Sequence, residues 1–210
     1  GTTGNDSGAG TYGYFGLFGD GGMYNGNKSI GIAQPSNYQL TWETVSKLNV
    51  GLNVSLFRRL DLDVNFYRNK TSDMLMSIPY SYTTGFGSGS GNIGAMTNTG
   101  FEINANVQII ATKDINWTFS ANVGYNKNEI TELFQGRDEF TLAQTGLKLK
   151  VGHAYGEFHS VRNAGVDPRT GEPQWYDKDG NITKIYNEER DAVFTGKNRY
   201  APWIGGFGTT

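Results

Sequence analysis

Leu48-Asn-Val-Gly-Leu-Asn-Val-Ser-Leu56 alternates apolar and polar residues without a break. Successive side chains of an extended chain point to opposite faces, so this stretch is a β-strand with one greasy side and one wet side. The same period returns three times. Leu60, Leu62, Val64 and Phe66 alternate with Asp61, Asp63 and Asn65. Phe101, Ile103, Ala105, Val107 and Ile109 alternate with Glu102, Asn104, Asn106 and Gln108. Trp117, Phe119, Ala121, Val123 and Tyr125 alternate with Thr118, Ser120, Asn122 and Gly124. Four such windows make an all-β chain.

The connections alternate in length. Phe57-Arg-Arg59 joins the first two windows, and the segment 110–116 joins the last two. Between the second and third windows lies a long stretch, 69–97, rich in Gly, Ser and Tyr. Longer stretches precede the first window and follow the fourth. Short turns at one end and long loops at the other are the habit of transmembrane β-barrels. A soluble sandwich also alternates, but its turns recur every 8–12 residues or so, and loops of this length sit badly in a compact domain. Aromatics near the window ends (Phe57 and Trp117 by the short turns; Phe66, Tyr67, Phe101 and Tyr125 by the long loops) fit two interfacial girdles. The expected architecture is an antiparallel meander, part of a large transmembrane β-barrel with long extracellular loops.

Composition points the same way. The 210 residues carry 30 Gly, 13% aromatics, 18% charged and 37% hydrophobic residues. Both the charged and the apolar fractions fall below those of typical soluble domains. A net charge of −2 offers no basic stripe for nucleic acid. With no cysteine, neither a disulfide nor a thiolate metal site can form. No apolar run is long enough to cross a bilayer as a helix. Both ends read as cuts within a longer protein.

Several stretches, taken in order, resemble SusC-like TonB-dependent transporters of the Bacteroidetes. They are Leu40-Thr-Trp-Glu43, Asn69-Lys-Thr-Ser-Asp-Met74, Asn92-Ile-Gly-Ala-Met-Thr-Asn-Thr-Gly-Phe-Glu-Ile103 and Val151-Gly-His-Ala-Tyr-Gly-Glu-Phe158. Gly165-Val-Asp-Pro-Arg-Thr-Gly-Glu-Pro173, Tyr176-Asp-Lys-Asp-Gly-Asn181 and Ala201-Pro-Trp-Ile-Gly-Gly-Phe207 continue the series. Where the family often has Pro, this chain has Ala154. The resemblance implies outer-membrane import of large nutrients, oligosaccharides or peptides, under a SusD-like surface lipoprotein lid and driven by TonB. It also implies a plug and a barrel of about 22 strands, of which this chain holds four with a stub on either side.

On that reading residues 1–44 are a strand stub and an extracellular loop. Residues 45–130 are four antiparallel barrel strands with an extracellular loop near 70–97. Residues 131–204 are a long extracellular loop, and 205–210 start the next strand. The competing class is a surface or secreted β-sheet ligand-binding module without transport.

No catalytic constellation emerges. Asp61, Asp63 and Glu102 suggest paired carboxylates, but their alternation puts them on the polar strand face, as in a barrel lumen. Asp177-Lys-Asp-Gly-Asn181 has the look of a calcium loop, yet Ile182 occupies the sixth position where Gly is needed. Asp-Gly between extended segments is instead a hairpin signal. His153 and His159, the two histidines, lie six residues apart with no third ligand evident. Neither a metal nor a cofactor is expected. Gly85-Phe-Gly-Ser-Gly-Ser-Gly91 is a flexible loop with no helix behind it to cradle phosphate. The glycosylation sequons at Asn69, Asn116 and Asn181 are accidental in a bacterial chain. The best functional candidates are loop aromatics: Tyr80, Tyr82 and Phe86 in the second loop, and Trp175 and Tyr176 in the third. Their flat apolar rings with polar tips suit a sugar face or a protein lid, and equally suit packing the loops against each other. Tyr12, Tyr14, Phe15, Phe18 and Tyr24 form a further cluster in the first loop.

Overall fold

A computed structural model describes residues 1–6, 12–80, 82–142 and 145–210, with the side chains of Pro79 and Tyr82 outside that description. In chain order the strands are β1 (Thr2–Asn5), β2 (Leu17–Tyr24), β3 (Asn27–Gln34), β4 (Glu43–Leu56), β5 (Leu60–Ser72), β6 (Leu75–Pro79) and β7 (Ser88–Asn92). Then come β8 (Gly94–Ala111), β9 (Asn116–Leu133), β10 (Glu139–Thr141), β11 (Lys148–Lys150), β12 (Glu157–Ser160), β13 (Arg162–Val166), β14 (Pro173–Tyr176) and β15 (Ile182–Thr183). A one-turn helix, α1 (Glu188–Asp191), precedes β16 (Val193–Asn198) and β17 (Trp203–Thr209).

Six of these strands form one antiparallel wall in the order β1-β4-β5-β8-β9-β17. Its register stacks like residues in rows across the strands. One row runs Val50, Phe66, Phe101, Tyr125, Trp203. Two residues along, a second row runs Leu52, Val64, Ile103, Val123, Gly205. These rows make one apolar face, and none of Leu52, Val64, Val107 or Val123 is buried under a second layer. Leu52 is 60% exposed and Phe207 84%. An apolar face this bare is stable where hydrocarbon replaces water. The opposite face carries rows of Asn, Asp and Ser, such as Asn53, Asp63, Asn104, Asn122.

One crossing on the polar face depends on a glycine. Tyr67 lies across Gly100 of the neighbouring strand, and its hydroxyl donates to Asn126 Oδ1 two strands away at 3.1 Å. A Cβ on Gly100 would collide with the Tyr67 ring and the Tyr125 carbonyl. An aromatic covering a strand glycine in this way fixes register and twist together.

The short turn from β4 to β5 is tight: Arg59 N–H donates to the Leu56 carbonyl at 3.0 Å. Phe57 and Arg58 both sit at φ 56°, in the left-handed region that side chains with a Cβ resist.

The strands outrun their alternating windows. β8 and β9 each span 18 residues, and β4 reaches back to Glu43. Phe66, Phe101 and Tyr125 therefore lie mid-strand, where the windows had put them at strand ends. Beyond the aromatic row the apolar-side positions become Arg68, Lys70, Thr97, Thr99, Lys127 and Glu129. Alternation of hydrophobicity stops there because both faces are wet, while backbone pairing continues. The stretch after β9 is likewise more structured than a plain loop, holding β10 to β16 and α1, and β17 begins at Trp203.

The buried core sits at the long-loop end. Ile78, Ile93, Ile130, Leu133, Phe140, Leu142 and Leu149 pack together, with Met76, Tyr80, Val151 and Tyr155 against them. Ile130 has the strand parity of Asn122 and Asn126, so this core rests above the polar face of the wall. Each such side chain, fully buried, contributes roughly 1.5–3 kcal/mol.

Candidate functional site

The loop aromatics fall into separate places. Tyr80 lies half-buried against the loop core, with its ring over Gly89 of β7. The Tyr80 N–H donates to the Gly87 carbonyl at 3.1 Å, closing that hairpin. Phe86 is half-buried at the hairpin tip, where its N–H donates to Thr84 Oγ1 at 3.3 Å. Tyr82 opens a short 3-10 turn, and its side chain lies outside the described residues. Trp175 and Tyr176 belong to β14, the middle strand of the sheet β13-β14-β15. Trp175 meets Tyr186 edge-on at 5.5 Å, and Arg162 lies over Tyr176 at 5.4 Å. Among the described residues no ring contact joins Tyr80 or Phe86 to Trp175 or Tyr176. The five residues are thus two sets on two sub-sheets.

Asp177-Lys-Asp-Gly-Asn181 is the hairpin between β14 and β15, with Tyr176 opposite Ile182. Asp177 Oδ1 accepts from the N–H groups of Asp179 and Asn181 at 2.9 and 2.8 Å. Those bonds, with the Asn181 side chain, hold the Asp177 carboxyl below its ordinary value. Lys184 ties the same sheet together, reaching Asp167 at 3.0 Å and Glu172 at 2.6 Å. Asp167 is held below its ordinary value by the Arg169 N–H and then by Lys184. Asp191 of α1, 1% exposed, takes a two-pronged bond from the neighbouring Arg190 at 2.8 and 2.7 Å. Arg190 lowers its pKa.

The two histidines converge on a ring. Phe194 of β16 lies 4.4 Å from the His153 ring and 4.9 Å from that of His159. His153 Nδ1 is 3.0 Å from Glu157 Oε2, and Glu157 Oε1 accepts from the Gly196 N–H at 2.7 Å. Burial, and then Lys148, hold the His159 imidazole below its ordinary value. Among the described residues no three His, Asp or Glu side chains gather as metal ligands would. Asp61 and Asp63 lie on the polar wall face, accepting from Ser55 at 2.6 Å and Asn65 at 2.7 Å.

Two features escaped the sequence reading. One is a cavity of about 530 Å³ at the upper edge of β9, where β17 no longer covers it. Asn126, Asn128, His153, Glu157 and Tyr200 line it. The other is the projecting hairpin β2–β3, whose Phe18 and Ile30 are 72% and 81% exposed. Asn25-Gly26, with φ 49° and 79°, forms its tip, and an Asn-Gly pair between extended segments is the signal that reveals it.

The chain resembles known proteins over nearly its whole length. A family model described as TonB dependent receptor-like, beta-barrel, matches residues 3–209. TonB-dependent receptor P39 of Formosa agariphila is 34% identical over 151 residues, covering 71% of this chain and 14% of that protein. TonB-dependent receptor SusC of Bacteroides thetaiotaomicron is 32% identical over 163 residues, covering 70% of this chain and 16% of SusC. Among solved structures, the RagAB peptide transporter superposes with a TM-score of 0.86 at 34% identity. That match covers 100% of this chain and 24% of the other. The chain spans a small part of the curated relatives it matches. From the alternating wall, its bare apolar face and these matches together, the chain belongs to the TonB-dependent receptor β-barrel family.

Proposed function

We propose that this chain is wall and extracellular loop of an outer-membrane importer of large nutrients in a Gram-negative bacterium. The apolar face of the wall meets lipid, the polar face lines a wet interior, and the long-loop end faces outside. The observation that carries this is the contrast in burial: the wall leaves Leu48, Val50, Leu52 and Phe207 exposed, while the loops gather a core of their own. The cargo is a peptide or an oligosaccharide. The likeness to the RagAB peptide transporter favours peptides. A SusD-like surface lipoprotein closes over the loops, and TonB supplies the pull through parts of the polypeptide beyond these residues. The loop aromatics Tyr80, Tyr82, Phe86, Trp175 and Tyr176 are candidate contacts for cargo or lid.

The test is uptake. Cells with the full-length protein should take up labelled oligopeptides or oligosaccharides saturably and in a TonB-dependent manner, and a deletion strain should not. Equal, unsaturable uptake by both strains for both cargo classes would defeat the proposal.

A further inference from the structure

The outward face of the wall does not end at the aromatic row. Two residues beyond Phe66 on the same face of β5 stands Arg68, and two further stands Lys70, about 7 and 13 Å along the strand. Register places Arg68 opposite Thr99 and Thr99 opposite Lys127, so one row reads Arg68, Thr99, Lys127. The next row reads Lys70, Thr97, Glu129. The flanking strands β5 and β9 lie about 10 Å apart across β8. Arg68, Lys70 and Lys127 are exposed. Lys127 is bonded to Glu129 at 2.8 Å, whereas Arg68 and Lys70 make no ion pair among the described residues. The patch is therefore net positive, with two threonine hydroxyls at its centre. It stands directly above an aromatic shelf in which Phe101 stacks on Tyr125 at 5.7 Å and Tyr125 meets Trp203 at 4.6 Å.

We propose that this patch binds the phosphorylated headgroup of an anionic lipid in the leaflet at the long-loop end. The inference rests on the membrane orientation given under Proposed function. Arginine and lysine at the edge of a membrane-spanning face meet headgroup phosphate, while aromatic rings mark the depth at which hydrocarbon begins. Here the charges sit on the outer face, so they look along the bilayer surface and away from the lumen. A phosphate over Thr97 and Thr99 would have Arg68 and Lys70 on one side and Lys127 on the other. Its acyl chains would lie down over Phe66, Phe101 and Val123. Arg68 offers a planar fork for two phosphate oxygens, and Lys70 and Lys127 act as point charges.

The experiment uses the full-length protein in nanodiscs of phosphatidylcholine doped with labelled lipid A, in either its phosphorylated or its dephosphorylated form. The wild type should retain the phosphorylated lipid preferentially. R68Q and K70Q should each reduce retention about fivefold, and the double variant about thirtyfold. K113Q, in the short turn at the other end of the wall, should leave retention unchanged. Excess inorganic phosphate should not strip the lipid, because acyl contacts hold it as well. Undiminished retention by the double variant would overturn the proposal, and so would release by inorganic phosphate alone. Failure to insert, read as loss of the heat-dependent gel shift of a folded barrel, would instead refute the membrane-wall reading beneath it.

Discussion

Leu52 of the wall and Ile93 of the loop layer are both branched aliphatic residues in extended or near-extended chain, yet Leu52 is 60% exposed and Ile93 fully buried. Their surroundings differ by design of the sheet. Leu52 belongs to a face whose rows, from that of Leu56 to that of Val50, are apolar from β4 to β9, and nothing of the described chain covers it. Ile93 joins Ile130 and Leu133, both near the far end of β9, and Leu149 of β11. The wall borrows its apolar solvent from the bilayer, whereas the loop layer must supply its own. Hydrophobicity alone does not tell the two apart; periodicity and partners do.

Charge placed in each region should break one and spare the other. Ile93→Asp buries an unpaired carboxylate, which costs about 4 kcal/mol or more. The expected result is rapid protease cleavage within residues 131–204 of the full-length protein in membranes, with the gel shift of the folded barrel intact. Loss of both together would mean that loops and wall fold as one unit. Leu52→Arg puts a cation in the lipid-facing band, a cost of about 2–4 kcal/mol at mid-bilayer. Urea titration in liposomes should show a destabilised barrel, and a midpoint equal to wild type would place that face against water or protein. The smallest effect comes from acid. The Asp167, Asp177 and Asp191 carboxyls are all held below their ordinary value in the folded chain. Their stabilisation is therefore complete above the ordinary Asp value of about 4 and fades as the pH falls through the lowered folded values. Loop cleavage by an acid-active protease should rise below that range in wild type, and less so in D167N. Identical profiles would remove Asp167 from the account.

The strands were legible where both a dry and a wet face exist. Leu48 to Leu56 announces β4 because lipid on one side and water on the other force the period. Past the aromatic row that signal fades: Arg68 and Lys70 replace the apolar set while the ladder continues, so the strand ends were not readable. The Asp177-Gly180 turn was legible from its own chemistry, and Asn25-Gly26 carried an equally clear signal for β2–β3. The loop core was not legible. Ile78, Ile93, Ile130 and Leu149 come from distant segments, and no local period connects them. The candidate aromatics followed composition, which names residues suited to binding without saying that Tyr80 and Trp175 belong to different sub-sheets.

The order of strands in the wall has a consequence for how the molecule comes into being. Each wall strand pairs with the wall strand before it along the chain, skipping loop strands that pair among themselves. A growing sheet can thus be lengthened one strand at a time, in chain order, from whichever margin is open. Loop hairpins can be lengthened, trimmed or exchanged without disturbing that sequence of additions, because each leaves and rejoins the wall between adjacent strands. The same topology that simplifies assembly lets the loop layer vary while the wall stays constant.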